Sequence, residues 1–400
     1  MKYHYALWFG LAVAALIAVA ELAAAPAHAA GRGQAFLGYF LGAAHLLNLP
    51  GFTAAAAIAG LVRAHTLTGL ALAISISVSG AFWGVAAAIC IRIGRNFQRQ
   101  TTQDPRSGPT EPVLSRRRLI LGGGRAVAAA GMGAGAWGFF GQARWFEITH
   151  RQIAIKGLSP GLNGLRIVQL SDIHHGPWMS LAWVRQIVES TNALAPDIVA
   201  LTGDYIYNGT DYVQPVALEL SKLRPRVGVI GVMGNHDWWG GGELMKSAFA
   251  NQRLPLIDNA RMYITPQRRL VQHAKEGLCL AGVGDLWEDK CLYEQALGDV
   301  PGGMPRILLS HNPDVAEEPQ FLQSGVRVDL MLSGHTHGGQ ISLPGIGAPV
   351  TNSAYGQKYA KGLVAGPVCP VFICRGLGMT VMPMRIGVRP EIAVIELAVG

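Results

Sequence analysis

Two histidines in one glycine-rich turn carry the clearest chemical signal in this sequence. The stretch Leu332-Ser-Gly-His-Thr-His-Gly-Gly-Gln340 places His335 and His337 two residues apart, after an apolar run, residues 326–332, that predicts a buried strand. Neutral imidazole is a common metal ligand. Because two imidazoles cannot complete a metal site, this interpretation requires carboxylates and further histidines from other parts of the chain.

Other strand-like runs end in residues of the required types. The segments are Asp172-Ile-His174 after residues 165–170, Gly203-Asp204 after 198–202, Gly234-Asn-His-Asp237 after 227–233, and His311-Asn312 after 306–310. Each of these segments alone would be interpreted as an ordinary turn. Ligand sites in open α/β sheets gather at the carboxyl ends of strands, so the whole set predicts one shared site.

The residue types suggest how such a site would work. Asp172 and His174 are spaced to reach one cation, and Asp204 can bridge two cations with its two oxygens. The amide oxygen of Asn235 is a hard neutral ligand. His236 is placed to protonate a leaving group, and Asp237 is expected to orient it by a hydrogen bond.

Composition divides the chain into two parts. Of its 400 residues 50% are hydrophobic and only 14% are charged, and the charge deficit lies before about residue 141. Apolar runs cover residues 6–20, 35–62 and 67–91, and the last is long enough to span a bilayer. We therefore predict an all-α transmembrane region in residues 1–100, whose start is either a cleaved signal sequence or a helix.

Residues 101–145 are predicted to be a linker followed by a last apolar segment. Ser115-Arg-Arg-Arg118 precedes that segment and is either a twin-arginine-like export signal or a helix anchor. The chain has a net charge of +8, and seven arginines lie between residues 92 and 118. Positive charge concentrated between apolar runs is typical of a membrane-flanking loop rather than a nucleic-acid surface. This basic loop favours a bacterial inner-membrane protein whose catalytic domain lies on the outer side.

The remaining pattern predicts a mixed α/β domain in residues 146–398. Residues 146–155 alternate apolar and polar side chains, which predicts an edge strand, and short apolar runs such as 379–383 predict further strands. The five cysteines have neither the spacing of a zinc ribbon nor that of a disulfide framework. Cys369 and Cys374 are either bridged or reduced.

The ordered set of segments resembles the calcineurin-like metallophosphoesterases over about residues 146–398, with no ligand position substituted. The motif that ends at Gln340, together with an apolar N-terminal third, is similar to bacterial membrane-associated phosphodiesterases. The resemblance implies an α/β fold, a four-layer α/β/β/α sandwich, here preceded by the all-α transmembrane region.

The resemblance also implies roles for the residues and a cofactor. One cation is held by Asp172, His174 and His337, a second by Asn235, His311 and His335, and Asp204 bridges them; His236 is the proton donor, oriented by Asp237. This ligand mixture suits two divalent ions of Mn, Fe or Zn. The implied activity is hydrolysis of a phosphodiester, phosphomonoester or pyrophosphate bond. The predicted membrane anchor favours a lipid-linked phosphoester as substrate and no nucleic-acid partner.

Alternative functions remain open at this point. The chain is alternatively a UDP-2,3-diacylglucosamine pyrophosphatase of lipid A synthesis, which needs a cytoplasmic active site and conflicts with the predicted topology. Another alternative is a membrane protein whose phosphoesterase-like domain is a non-catalytic sensory or binding module. A nuclease of the same fold is disfavoured by the weakly charged catalytic part.

Overall fold

The computed structural model describes residues 138, 141–381 and 383–400. The predicted transmembrane region (1–100) and most of the predicted linker segment (101–145) lie outside the described residues. No helix in the described part of the chain is both long and apolar enough to cross a membrane.

Short strands and helices alternate along the described chain. The strands are β1 (Glu147–Ile155), β2 (Leu165–Leu170), β3 (Ile198–Thr202), β4 (Gly228–Val232), β5 (Ala260–Ile264), β6 (Leu270–Val271), β7 (Leu278–Gly282), β8 (Arg306–Leu309), β9 (Leu330–Ser333), β10 (Gly362–Ala365), β11 (Pro370–Ile373) and β12 (Glu391–Val399). The α-helices are α1 (Leu181–Ala193), α2 (Val213–Leu220), α3 (Asn235–Trp239), α4 (Gly242–Asn251), α5 (Tyr293–Leu297) and α6 (Pro319–Ser324).

The strands form two sheets. The first has the order β1-β12-β2-β3-β4, and the second has the order β10-β11-β9-β8-β7-β5-β6. Strands β2, β3 and β4 are parallel to one another, as are β7, β8, β9 and β11. The predicted edge strand is confirmed, since β1 pairs with β12 alone among the described strands.

Side chains of alternating orientation build the layers. In β2, Ile167 packs into the core between the two sheets, where it joins residues such as Leu280 and Ile307, while its neighbour Val168 packs into a second core with Val184 of α1. A third core joins the outer face of the second sheet to α5 and α6 through residues such as Phe321. The order helices, sheet, sheet, helices agrees with the predicted four-layer sandwich.

Three local predictions are corrected or decided by the structure. β9 begins at Leu330, so residues 326–329 precede the strand. The described residues of the predicted strand, 379–381 and 383, are not in a strand. The backbone of Thr380 instead pairs with the side chain of Gln340: its N–H donates to Oε1 and its carbonyl accepts from Nε2, both at 2.9 Å. Cys369 and Cys374 are both free thiols.

Candidate metal centre

The predicted ligand residues lie at one edge of both sheets. Asp172 and His174 follow β2, Asp204 follows β3, and Asn235 begins α3 directly after β4. From the second sheet, His311 follows β8, and His335 and His337 follow β9. The strands β2, β3 and β4 are parallel to one another, and so are β8 and β9. Their carboxyl ends therefore lie at one edge of each sheet, as predicted from the sequence.

Asp172, His174 and His337 form a first buried group. The Nε2 atoms of His174 and His337 are 3.0 Å apart, and His337 Nε2 is 3.4 Å from Asp172 Oδ1. Asp172 is held in place because the backbone N–H of His335 donates to its carboxylate at 2.9 and 3.1 Å. This group therefore presents three ligand atoms to one point.

Asp204, His311 and His335 form a second buried group. His311 Nε2 lies 3.2 Å from Asp204 Oδ2 and 3.2 Å from His335 Nδ1. His311 Nδ1 lies 2.7 Å from the Thr202 carbonyl, which can only accept, so Nδ1 carries a proton and donates it. This hydrogen bond fixes the ring so that Nε2 faces Asp204.

Asp204 connects the two groups through a single oxygen. Its Oδ2 atom is 3.4 Å from His174 Nε2 and 3.2 Å from His311 Nε2. Its Oδ1 atom accepts a hydrogen bond from the backbone N–H of His236 at 2.9 Å. The expectation that Asp204 bridges two cations stays a prediction: Oδ2 faces both groups, and Oδ1 also accepts a backbone N–H.

The donor set fits a pair of divalent cations. One buried predicted ligand atom, the carboxamide oxygen Oδ1 of Asn235, has no hydrogen-bond partner among the described residues. Buried polar atoms are normally paired, so this unpaired carboxamide oxygen indicates a ligand that is not a protein group. Imidazole nitrogens mixed with carboxylate and amide oxygens are typical of transition-metal sites.

Burial sets the charge of these groups. It lowers the pKa of His174 and His337 well below the usual value, and burial with the nearby His311 lowers that of His335 to about 3, so these imidazoles are neutral. Burial opposes charge on His311, but the carboxylate of Asp204 raises its pKa well above the usual value. Burial raises the pKa of Asp172 to about 6. Neutral imidazoles have a free lone pair, which metal binding requires.

The ligand-bearing loops have an unusual backbone. Asp172, His174, Asp204, His335 and His337 all have positive φ, between 50° and 68°. This left-handed region is uncommon for residues with a side chain, and such strain collects at functional sites. The conformation turns each loop sharply after its strand and directs the side chain toward the shared edge.

Two glycines allow the loops to approach each other. Gly203 has φ of +89°, and a Cβ there would lie 2.7 Å from both Gly234 N and His311 Nδ1. At Gly334, a Cβ would overlap the hydroxyl of Ser171 and the carboxylate of Asp172. Glycine is therefore needed in the Gly-Asp and Gly-His motifs, because any larger side chain would collide with a neighbouring loop.

His236 lies at the open side of the centre. The prediction that Asp237 orients it by a hydrogen bond is wrong. Its ring centroid is 4.6 Å from that of His174, its Nδ1 atom bonds to the Tyr207 carbonyl, and its Nε2 atom is 3.5 Å from Thr380 Oγ1. Asp237 does not bond to His236. Its carboxylate instead accepts backbone N–H groups of residues 204, 205, 206 and 234, because it points under the β3 loop.

The sequence analysis missed a fully buried arginine behind the centre. Arg385 donates to the carbonyls of Arg375 at 2.9 Å and Gly378 at 2.6 Å, and its Nη2 lies 3.2 Å from His337 Nδ1. The loop that it holds contacts the first group, since Leu377 N–H donates to the Asp172 carbonyl at 3.2 Å. The available signal was a single charged residue within the otherwise uncharged residues 376–388.

Two exposed tryptophans next to the centre were also missed. The ring of Trp239 is 4.5 Å from that of His236, and the ring of Trp287 is 4.4 Å from that of His335. Both indoles are about half exposed. A hydrogen bond of 2.7 Å from Trp239 Nε1 to Glu288 links their loops, so the two rings stand as fixed apolar surfaces beside the site.

Comparison with known proteins identifies the family. The sequence profile described as calcineurin-like phosphoesterase matches residues 165–339. YkuE of Bacillus subtilis, an uncharacterized metallophosphoesterase, is 33% identical over 71% of this chain and 98% of its own length. The chain belongs to this family. Calcineurin-like phosphoesterases are metal-dependent hydrolases of phosphoester bonds, so the protein is an enzyme of that class rather than a non-catalytic module.

Two further bacterial enzymes are similar to this chain. The phosphodiesterase YaeI of Escherichia coli is 28% identical over 71% of this chain and all of its own length. The UDP-2,3-diacylglucosamine pyrophosphatase LpxG of Chlamydia trachomatis is 27% identical over 54% of this chain and 79% of its own length. These two relatives are thus named for different activities, a phosphodiesterase and a pyrophosphatase.

Proposed function

We propose that the protein is a membrane-anchored phosphoesterase that uses two divalent cations to hydrolyse a phosphodiester, phosphomonoester or pyrophosphate bond of a lipid-linked substrate. The main support is the position of Asp204 Oδ2, which lies 3.4 Å from an imidazole of one buried group and 3.2 Å from an imidazole of the other. A carboxylate oxygen between two ligand groups is the arrangement that a dinuclear centre requires.

Asp204 would be shared between two sets of ligands. Asp172, His174 and His337 would hold one cation, and Asn235, His311 and His335 would hold the other. This mixture of imidazole and oxygen donors favours Mn, Fe or Zn over a soft copper site. When bound, such a pair supplies hydroxide at neutral pH and stabilises the charge that develops on the phosphoryl group.

His236 would provide the proton for the leaving oxygen. Its Nδ1–H donates to the Tyr207 carbonyl, which holds the ring with Nε2 toward the open side of the centre. A proton on Nε2 can then be given to the leaving group while the Nδ1 hydrogen bond is kept. The ring therefore stays oriented in both protonation states. Asp237 would act on the backbone of the Asp204 loop instead.

The substrate and location are inferred from the sequence and the surroundings of the site. Apolar runs before residue 141 favour membrane anchoring, and the basic loop of residues 92–118 favours a catalytic domain on the outer side. The exposed rings of Trp239 and Trp287 offer apolar contacts beside the centre, as a lipid-linked phosphoester would use.

A second candidate is UDP-2,3-diacylglucosamine pyrophosphatase activity, which the similarity to LpxG favours. Such a substrate would require a cytoplasmic active site. A topology reporter fused after residue 145 discriminates between the candidates, because the first expects the reporter outside the cytoplasm and the second expects it inside.

The proposal is tested by Asp204→Asn in the full chain. Because the change removes the charge of the shared ligand but keeps its shape, we expect a native fold, loss of bound metal by elemental analysis, and no manganese-dependent hydrolysis of a soluble aryl phosphodiester. Asp299→Asn is the matched control, since the Asp299 side chain is 98% exposed. Full activity of folded Asp204→Asn protein would refute the assignment.

A further inference from the structure

A rigid apolar loop stands beside the metal centre. We define the apolar tip as residues 343–350, in which the side chains of Leu343, Ile346 and Val350 are 40%, 70% and 45% exposed. No residue between His337 and Lys358 is charged. Large apolar side chains grouped on one exposed loop, without intervening charge, indicate a surface that is covered in the working protein.

The apolar tip cannot bury these side chains by folding back. The N–H of Leu343 donates to the Gly347 carbonyl at 2.8 Å, and the N–H of Gly347 donates to the Leu343 carbonyl at 2.9 Å. At its base, Ala348 is buried, and its backbone bonds to the side chain of Gln357. The tip is therefore a closed turn that keeps Ile346 outward.

The base of the tip is continuous with the active site. His337 is separated from the tip by only a few residues, one of which, Gln340, makes two hydrogen bonds to the backbone of Thr380. The hydroxyl of Thr380 is 3.5 Å from His236 Nε2. Whatever covers the tip therefore lies close to the position of the substrate.

The base of the tip also adjoins the place where the chain enters the described domain. Ser342 N–H donates to the Ile386 carbonyl at 2.8 Å, and Arg385 N–H donates to the Gly138 carbonyl at 3.1 Å. The residues that precede Gly138, from 126 onward, are all small or apolar. The uncharged sequence thus enters the domain at Gly138, which bonds to Arg385. The next residue, Ile386, bonds to Ser342 at the base of the apolar tip.

An aromatic and basic pair lies at the same entry point. Trp145 is 58% exposed, and the guanidinium of Arg389 stacks 4.1 Å from its ring. Arg144 is also exposed. Tryptophan and basic side chains are enriched where a protein meets lipid headgroups. These residues are typical of a boundary beside the apolar tip between water and lipid.

We propose that the apolar tip inserts into the lipid surface and holds the metal centre at the level where a lipid-linked phosphoester emerges. Its role in catalysis rests on the proposed function, whereas its contact with lipid does not. Ile346, the most exposed of the three large apolar side chains, would enter the acyl region, and the Trp145–Arg389 pair would lie among the headgroups.

Lipid contact is tested by photocrosslinking of the full chain in phosphatidylcholine–phosphatidylglycerol nanodiscs. Benzoylphenylalanine replaces Ile346 in one protein and Leu218 of α2, which is 54% exposed, in the control. We expect a phospholipid adduct by mass spectrometry at position 346 and none at 218. Crosslinks from 346 to a second copy of the chain, or equal lipid labelling at both positions, would overturn the proposal. The same probe at Val350 replaces the first if that protein does not fold.

The catalytic role is tested by Ile346→Asp with Leu218→Asp as its control. A charge at the tip opposes insertion, so we expect hydrolysis of a bilayer-embedded phosphodiester to fall about tenfold or more, with soluble aryl phosphodiester hydrolysis unchanged. Equal effects on both substrates would contradict this role. If the wild type cleaves only the soluble ester, the lipid-linked substrate is wrong, and the crosslinking result still decides the lipid contact.

Discussion

We expect Gly203→Ala to lower both stability and activity, because the new Cβ strains the backbone and also displaces residues of the metal centre. The new Cβ would lie 2.7 Å from Gly234 N and His311 Nδ1, whereas ordinary contact begins near 3.4 Å, so these atoms must retreat by about 0.7 Å. The φ of +89° adds about 1–2 kcal/mol of strain, and overpacking adds about 1–3 kcal/mol.

The expected activity loss follows from the same distance. A misplacement of about 1 Å at a catalytic group can cost about a hundredfold, so a shift of His311 by about 0.7 Å should lower kcat/KM by about 10- to 100-fold. His311 Nε2 would also move relative to Asp204 Oδ2, now 3.2 Å away, which should lower the bound metal. The assay is hydrolysis of a soluble aryl phosphodiester in saturating manganese, with elemental analysis and thermal melting.

Gly209→Ala is the matched control for backbone strain. Gly209 has φ of +94°, but a Cβ there would meet only Tyr212 at 3.7 Å. This variant should lose about 1–2 kcal/mol of stability and keep its metal and activity. If the two variants lose the same stability and the same activity, the close approach at Gly203 does not position the centre, and the reasoning is refuted.

Two further predictions concern proton transfer and pH. His236→Ala should slow esters with poor leaving groups by about 10²–10⁴-fold and activated aryl esters far less, and equal losses would argue against a proton donor. Burial raises the pKa of Asp258 from 3.8 to about 7, so the folded chain keeps a proton in this range that the unfolded chain releases. Wild-type stability should therefore fall as pH rises from about 4 to 7, and Asp258→Asn should remove this loss, at most about 4 kcal/mol above pH 7. A melting-temperature difference that stays constant over this range would contradict the interpretation.

The positions of the ligands were predictable because they depend on local patterns. Asp172, Asp204 and His335 each follow a short apolar run at a turn, and parallel strands bring such turns to one edge. The steric need for glycine at 203 and 334 is part of the same local signal. The resemblance to a known family then supplied the four-layer order of the sheets and helices.

Contacts between distant backbone atoms were not predictable in the same way. Asp237 was expected to bond to the adjacent His236, yet its oxygens accept N–H groups of the β3 loop, whose position depends on the packing of both loops. Residues 379–383 have the apolar composition of a strand, but the backbone of Thr380 pairs with the side chain of Gln340. Arg385 gave only a weak compositional signal, because its acceptors are carbonyls of a loop without regular structure.

The division of the ligands between the two sheets has a consequence for biosynthesis. Asp172, His174, Asp204 and Asn235 follow strands of the first sheet, whereas His311, His335 and His337 follow strands of the second. A nascent chain that ends before β9 lacks ligands for both ions, however well its earlier half has folded. We therefore expect metal binding to follow the packing of the two sheets against each other. Once bound, the ions would link the two sheets through ligands from both.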